Sequence, residues 1–350
     1  MICSLSFHAN YACRHSGACC TAGWAIPVEA RLLPLLGVKV LVPDDQGACG
    51  HFDRKSRLCV VQREYGEEML PGSCYQFPRR ALLDDRGTFI TLSNFCPTAA
   101  TLLCESEAAL AIVASPPAFP EGRVYEGLDA RGQWPPLVRP GLLFDFESYG
   151  RWEAFIVSTL AGDAPVANQL AQIANAAERL RRWTPAGGAF AEWVIRTLDT
   201  ATADPTALQL YRAIRTTDTY DALRRFVLVP PQPRERVLAT FGAPSTPGRA
   251  LSSSPLHDWN GEARAVRRYL ASKAFASWSA YESRGVRTLV AELLVAEVVL
   301  RAECERASEA AGRPIDRALM IEAIRQSDLL LVHLIDRPQM IEWLGQIEAR

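Results

Sequence analysis

Nine of the ten cysteines in this 350-residue chain fall within its first 104 residues: Cys3, Cys13, Cys19, Cys20, Cys49, Cys59, Cys74, Cys96 and Cys104. Even usage would put about three there, and only Cys304 lies in the rest. Such a density means that this segment is held together by disulfides or by metal. The compartment separates the two. The N-terminus, MICSLSFHANYACRHSG, has no basic n-region, no apolar core and no small-residue cleavage site. The expectation is a cytoplasmic chain, in which thiols stay reduced and serve as metal ligands. The longest apolar runs, 289–300 and 329–335, are well short of the roughly 20 residues that cross a bilayer, so no membrane partner is expected.

Composition bounds the rest. A hydrophobic share of 49% is that of a folded globular chain, and its length suits about two domains. The net charge of −1 argues against nucleic-acid binding through a broad basic field. The 38 basic residues comprise 35 arginines and three lysines, Lys39, Lys55 and Lys273.

The pattern changes along the chain. Residues 1–114 are turn-rich, punctuated by VPDDQG (42–47), LPGS (70–73) and LDDRG (83–87). Residues 79–83 and 88–93 read as two short strands joined by a tight Asp-Gly turn. Segments 26–36 and 98–114 read as helices, as does 65–70 more briefly. Residues 115–146 form an extended, Pro-rich connection, expected to lie across the surface of the second domain. From 147 to 350 apolar residues recur at three and four, as in Trp152, Phe155, Ile156 and Leu160, with Asp218 and Asp316 as helix caps. A break at 242–261 reads as a surface loop or lid. The expected fold is therefore mainly α: a small cysteine-rich α+β metal-binding domain at the N-terminus, followed by an all-helical domain.

The adjacent pair Cys19-Cys20 constrains the site. Neighbouring side chains diverge, so both sulfurs meet one centre only where the backbone turns sharply, and Gly17 and Gly23 permit such a turn. Thiolates suit zinc or iron–sulfur clusters rather than calcium or magnesium. No C-x2-C or C-x4-C knuckle of the zinc-finger kind exists, and the long, uneven gaps fit a cluster wrapped by chain. The candidate ligands are Cys13, Cys19, Cys20, Cys59 and Cys74, with Cys49 and Cys96 beside them. Cys3 and Cys104 are set aside as edge positions, and Cys304 as a buried small hydrophobe.

These blocks carry a resemblance. Cys13…GACC (17–20) with TAGWAIPVE (21–29), then RLCVVQREYGEEMLPGSCYQFPRR (57–80), then LSNFCPTAATLLC (92–104), resemble the CxxCxxCC-type zinc/iron-chelating cysteine-cluster family in its flagellin lysine-N-methylase branch. The match covers about 90 residues, with softer support from 267–302. It departs from the family pattern at the start, where one cysteine, five residues and then the pair replace C-x2-C-x2-C-C. His15 lies in that gap as a substitute ligand, and His51 stands where an aromatic is usual.

The resemblance implies a S-adenosylmethionine-dependent protein lysine N-methyltransferase with an iron–sulfur centre, four-iron four-sulfur in first place and zinc as the alternative. Its protein substrate would be flagellin-like. The alternative function is a non-catalytic zinc- or iron-binding cysteine-cluster protein, or a redox sensor. No Rossmann glycine turn, radical-type C-x3-C-x2-C, P-loop or His-Glu-x-x-His motif is present. Arg79 and Arg80 are candidates for holding the cofactor carboxylate, since guanidinium forks suit it, although loop bracing is the commoner role of such arginines. His333, in the apolar run LLLVHLI, reads as a core histidine. Tyr65 and Glu67 read as a solvated turn. Trp24 is expected to shield the metal from water.

Overall fold

The computed structural model describes residues 1–214, 218–228, 259 and 261–347. The chain is mainly helical with small sheets. The largest sheet has five strands: β1 (Ile2–Leu5), β2 (Arg79–Asp84), β3 (Gly87–Leu92), β4 (Ile112–Ala114) and β5 (Gly127–Asp129), in the order β4-β1-β3-β2-β5. The expected hairpin is β2–β3, antiparallel with Leu82 opposite Phe89. β1 runs parallel to β3, and β5 parallel to β2.

Strand alternation splits this sheet into two faces. Leu82 and Phe89 belong to a large core shared with the helices, whereas Ala81, Ile90 and Leu92 join a smaller cluster with Tyr11, Cys96 and Phe119. The connection 115–146 supplies β5 as well as the buried side chains Ala130, Val138 and Phe144.

Among the described residues, the α-helices of eight residues or more are α1 (Pro97–Glu105), α2 (Phe146–Ala161), α3 (Val166–Arg181), α4 (Phe190–Asp199), α5 (Ala263–Ala274), α6 (Val286–Ala311), α7 (Arg317–Asp328) and α8 (Arg337–Gly345), and Pro205–Ile214 forms a 3-10 helix. A π-helical turn, Leu329–Leu334, prolongs α7. Local chemistry sets their ends. The Asp145 carboxylate accepts from Ser148 N–H at 2.8 Å, and Asp316 accepts from Leu319 N–H at 3.0 Å. α6 stops at Gly312, in the left-handed region at φ 62°. α6 is apolar on most sides because it packs against α3, α5, α7 and α8 at once. Among the described residues, no strand lies beyond Leu143 and no helix is long and apolar enough to cross a membrane.

Two expected helices are shorter than their patterns. In 26–36, Pro27 and Pro34 lack the N–H that a helix needs. Ile26–Pro27 pairs instead with Val40–Leu41, and only Leu33–Leu36 is α-helical, ending at Gly37. In 98–114 the helix ends at Glu105, and Ile112–Ala114 becomes β4 because it covers the open edge of β1. Residues 65–70 hold the last residue of a helix over Val60–Tyr65 and a 3-10 turn over Glu67–Met69. The expected loop at 242–261 falls almost entirely outside the described residues.

Candidate metal centre

Two loops, a two-strand ribbon and a short helix build the site. Gly17, at φ 75°, starts the sharp turn, and a Cβ there would meet the Phe52 ring at 2.7 Å. Cys20 N–H and Thr21 N–H both donate to the Gly17 carbonyl, which winds Cys19–Thr21 into a 3-10 turn. The two sulfurs of the pair then lie 3.9 Å apart. Cys49 N–H donates to the Cys20 carbonyl at 2.7 Å, tying the second loop to the first. Asp44 shapes that loop by accepting from Ala48 N–H at 2.8 Å. Cys59 sits opposite Phe52 in a two-strand ribbon, and Cys74 rides on the helix Gly72–Gln76.

The sulfur-bearing residues Cys19, Cys20, Cys49, Cys59 and Cys74 all line one cavity of about 290 Å³. Trp24, Phe77, His51 and His333 close it. The Trp24 ring lies 4.8 Å from His333, 5.3 Å from Phe95 and 5.7 Å from Phe77, forming an aromatic wall. His333 comes from the π-helical turn, so the far end of the chain completes a site made by the near end.

Charge chemistry bears on what this cavity accepts. Among the described residues its lining carries no Asp, Glu, Lys or Arg. The hydrogen bond from Cys20 holds the Cys19 thiol down to about 7, and the same bond with burial pushes Cys20 up. Burial raises Cys49, and raises Cys74 to about 12. Several thiolates cannot coexist here without a countercharge, and no Lys or Arg on the wall supplies one. A cationic, thiophilic centre is the group that this donor set fits in kind.

The arrangement fits less well in detail to a single ion. Two sulfurs sharing a tetrahedral zinc with bonds of about 2.3 Å stand about 3.8 Å apart, as Cys19 and Cys20 do. Yet among the described residues no group of three or more His, Cys, Asp or Glu side chains is disposed to hold one metal ion. The thiols ring a space rather than a point.

Two of the seven candidate ligands are elsewhere. Cys13 is exposed, and precedes the turn that directs Cys19 and Cys20 inward. Cys96 is buried in the smaller cluster beneath the sheet, its sulfur 3.6 Å from the Tyr11 hydroxyl. Neither lines the cavity, and nor does His15. Cys3 and Cys104 are in the large core, as is Cys304, whose sulfur lies 3.9 Å from Met320 Sδ.

Arg79 and Arg80 do not line the cavity either. Arg79 donates to the Tyr75 carbonyl at 3.0 Å, a loop brace. Arg80 lies 4.9 Å above the Trp278 ring, in a second cavity among the helices. Tyr65 is exposed, and Glu67 pairs with Arg123 at 3.1 Å. His333 is the site residue that its sequence context concealed. A lone histidine in LLLVHLI looks like core, and only its cost in an apolar run hinted at a role.

A scan against protein-family models finds no match, and searches of curated proteins and of solved structures find none at a significant level.

Proposed function

We propose that the chain is an iron–sulfur protein that methylates protein lysines with S-adenosylmethionine, in the manner of the flagellin lysine-N-methylases that its cysteine blocks resemble. The convergence of five cysteines on one uncharged cavity carries this reading. Cys19, Cys20, Cys49, Cys59 and Cys74 would hold the centre, of which four suffice for a four-iron four-sulfur cluster. Such a cluster supplies electrons at a potential tuned by burial and by hydrogen bonds to its sulfurs.

The chain's own residues do the remainder. Trp24, Phe77 and His333 give the cavity an aromatic side, and the loop bond between Cys49 N–H and the Cys20 carbonyl keeps the donors in register. The cofactor carboxylate finds no cationic partner on the cavity wall, so its amino-acid end would be held elsewhere.

The 3.9 Å Cys19–Cys20 separation favours a second reading, a zinc-binding protein without catalysis. Strictly anaerobic purification followed by iron, sulfide and zinc analysis separates the two. The first reading expects brown protein with iron and acid-labile sulfide, and saturable binding of S-adenosylmethionine. Colourless zinc protein that ignores the cofactor supports the second. Metal-free protein with every thiol titratable refutes both.

A further inference from the structure

Lys273 stands apart from the other cations of this chain. Of its three lysines, Lys39 and Lys55 are exposed, whereas the Lys273 side chain is only 9% exposed and pairs with the buried Asp328, in a chain that otherwise uses arginine 35 times. A guanidinium keeps its proton under all ordinary conditions, but a desolvated ammonium can release one. A buried ion pair is a weak source of stability, because desolvation of both ions offsets their attraction. Such a position suits a group that exchanges a proton.

The pair ends a continuous chain of polar contacts. Asp328 Oδ2 accepts from the Ser93 hydroxyl at 3.3 Å and from Asn94 N–H at 2.5 Å. Ser93 Oγ lies 2.7 Å from His333 Nε2. His333 lines the cysteine cavity, and its Nδ1 makes no hydrogen bond among the described residues. At the other end, Lys273 lines a second cavity of about 20 Å³ with Arg80, Ser277, Glu292 and Arg337. That volume is enough for one water. π-helical turns such as the one bearing His333 concentrate at functional positions.

We propose that His333, Ser93, Asp328 and Lys273 form a proton relay from the cysteine cavity to the water-sized cavity, and that His333 receives the proton of a primary ammonium arriving at the His333 edge of the cysteine cavity, beside the centre that the cysteines would hold. The substrate part rests on the lysine-methylation reading, since an ammonium has no lone pair to attack with until its proton leaves. The N–H bond of the ammonium breaks and its proton joins His333 Nδ1. The Nε2 proton passes to Ser93 Oγ, and the hydroxyl proton of Ser93 passes to Asp328. Asp328 hands a proton to Lys273 as Lys273 releases one to the water beyond. One proton enters, one leaves, and no electrons move.

The cysteine cavity offers no carboxylate for this task. Burial holds His333 down to about 4, against the pull of Asp328, with Arg80 and Lys273 also facing it. The ring is therefore neutral at pH 7 and passes a proton on rather than keeping it. Lys273, faced by Asp328, Arg80 and Glu292, is likewise lowered by burial.

Two variants test the relay. Ser93→Ala removes the middle hydroxyl and leaves the ion pair. Lys273→Arg keeps the charge and cannot pass on a proton. Anaerobically prepared protein is given S-adenosylmethionine and polylysine from pH 7 to pH 10. Both variants are expected to transfer methyl groups at least tenfold more slowly than wild type at pH 7, recovering about tenfold per pH unit toward the ammonium's own value of about 10.4. Wild-type rates in both variants at pH 7 overturn the proposal. If wild-type protein methylates no polylysine, the methylation reading falls with the ammonium assignment. The relay itself is then decided by ¹⁵N NMR of the His333 ring. Solvent exchange of its Nε2–H slows at least tenfold in Ser93→Ala if the relay exists, and an unchanged rate rules it out.

Discussion

Each cysteine's neighbourhood decides its part. The five that line the cavity are carried by two bonded loops, a two-strand ribbon and a short helix, while Cys13 is exposed and Cys96 lies against Tyr11. Serine substitution is expected to remove at least half of the bound metal at four or more of Cys19, Cys20, Cys49, Cys59 and Cys74, whereas Cys13→Ser and Cys96→Ser retain it. Metal analysis of the seven purified variants checks this, and loss of metal in the last two would move the centre. Because ligand loss also removes folding free energy, protease sensitivity of residues 1–114 should rise only in the first group.

His8 gives a second residue-level prediction. It is fully buried, and neither ring nitrogen has a hydrogen-bond partner among the described residues. Burial pushes it down to about 3, so the folded chain keeps it neutral where the unfolded chain protonates it, below about 6.5. Its contribution is fully present above pH 6.5 and is lost as pH falls toward 3, at about 1.4 kcal/mol per pH unit. Urea unfolding of His8→Phe between pH 7 and pH 4 should show a slope shallower by about that amount. An unaltered slope would mean that the ring is protonated in the folded state.

At the scale of elements, polar bonds in the interior fasten helices to the sheet. Lys273 on α5 pairs with Asp328 at the end of α7, and Asp328 also holds the turn after β3 through Asn94 N–H. Asp84 on β2 accepts from the Tyr281 hydroxyl at 2.6 Å, and Arg86 reaches Glu153 on α2 at 2.6 Å. Lys273→Met leaves a buried carboxylate without its counterion, which costs about 3–5 kcal/mol. Lys273→Met with Asp328→Leu, apolar on both sides, is expected to recover most of that loss. Thermal unfolding of the three proteins measures it, and a double variant no more stable than the single one would show that Asn94 and Ser93 need the carboxylate themselves.

The α patterns beyond residue 147 were readable because helices there have one stripe to bury, and the periodicity survives in the sequence. The misread helices at 26–36 and 98–114 are instructive. Their apolar spacing suited a helix, but prolines in the first and an unpaired strand edge in the second favoured pairing. Strand pairing between residues as far apart as Leu5 and Ile112 has no local signature.

At the scale of the whole molecule, one core runs from Cys3 to Ile347, through the sheet face that carries Leu82 and Phe89. The cysteine segment therefore leans on the helices for burial. A fragment of residues 1–114 loses β5 and exposes that face, and is expected to show no cooperative unfolding transition by circular dichroism and to aggregate. A cooperative transition would establish it as an autonomous unit.

The cysteine density, the mainly helical character and the glycine-flanked turn at Cys19-Cys20 were all legible in the sequence, because each depends on composition, on period or on the φ range of a single residue. Which thiols face one another was not. The candidates are spread over 84 positions from Cys13 to Cys96. Their grouping depends on a 2.7 Å bond between two loops and on the side of a strand from which each chain departs. His333 makes the same point. It lies 274 positions beyond Cys59 in the chain. Only the packing of α7 and its π-helical turn against Trp24 brings it to the cavity, since contacts between distant segments are set by how whole elements bury their faces.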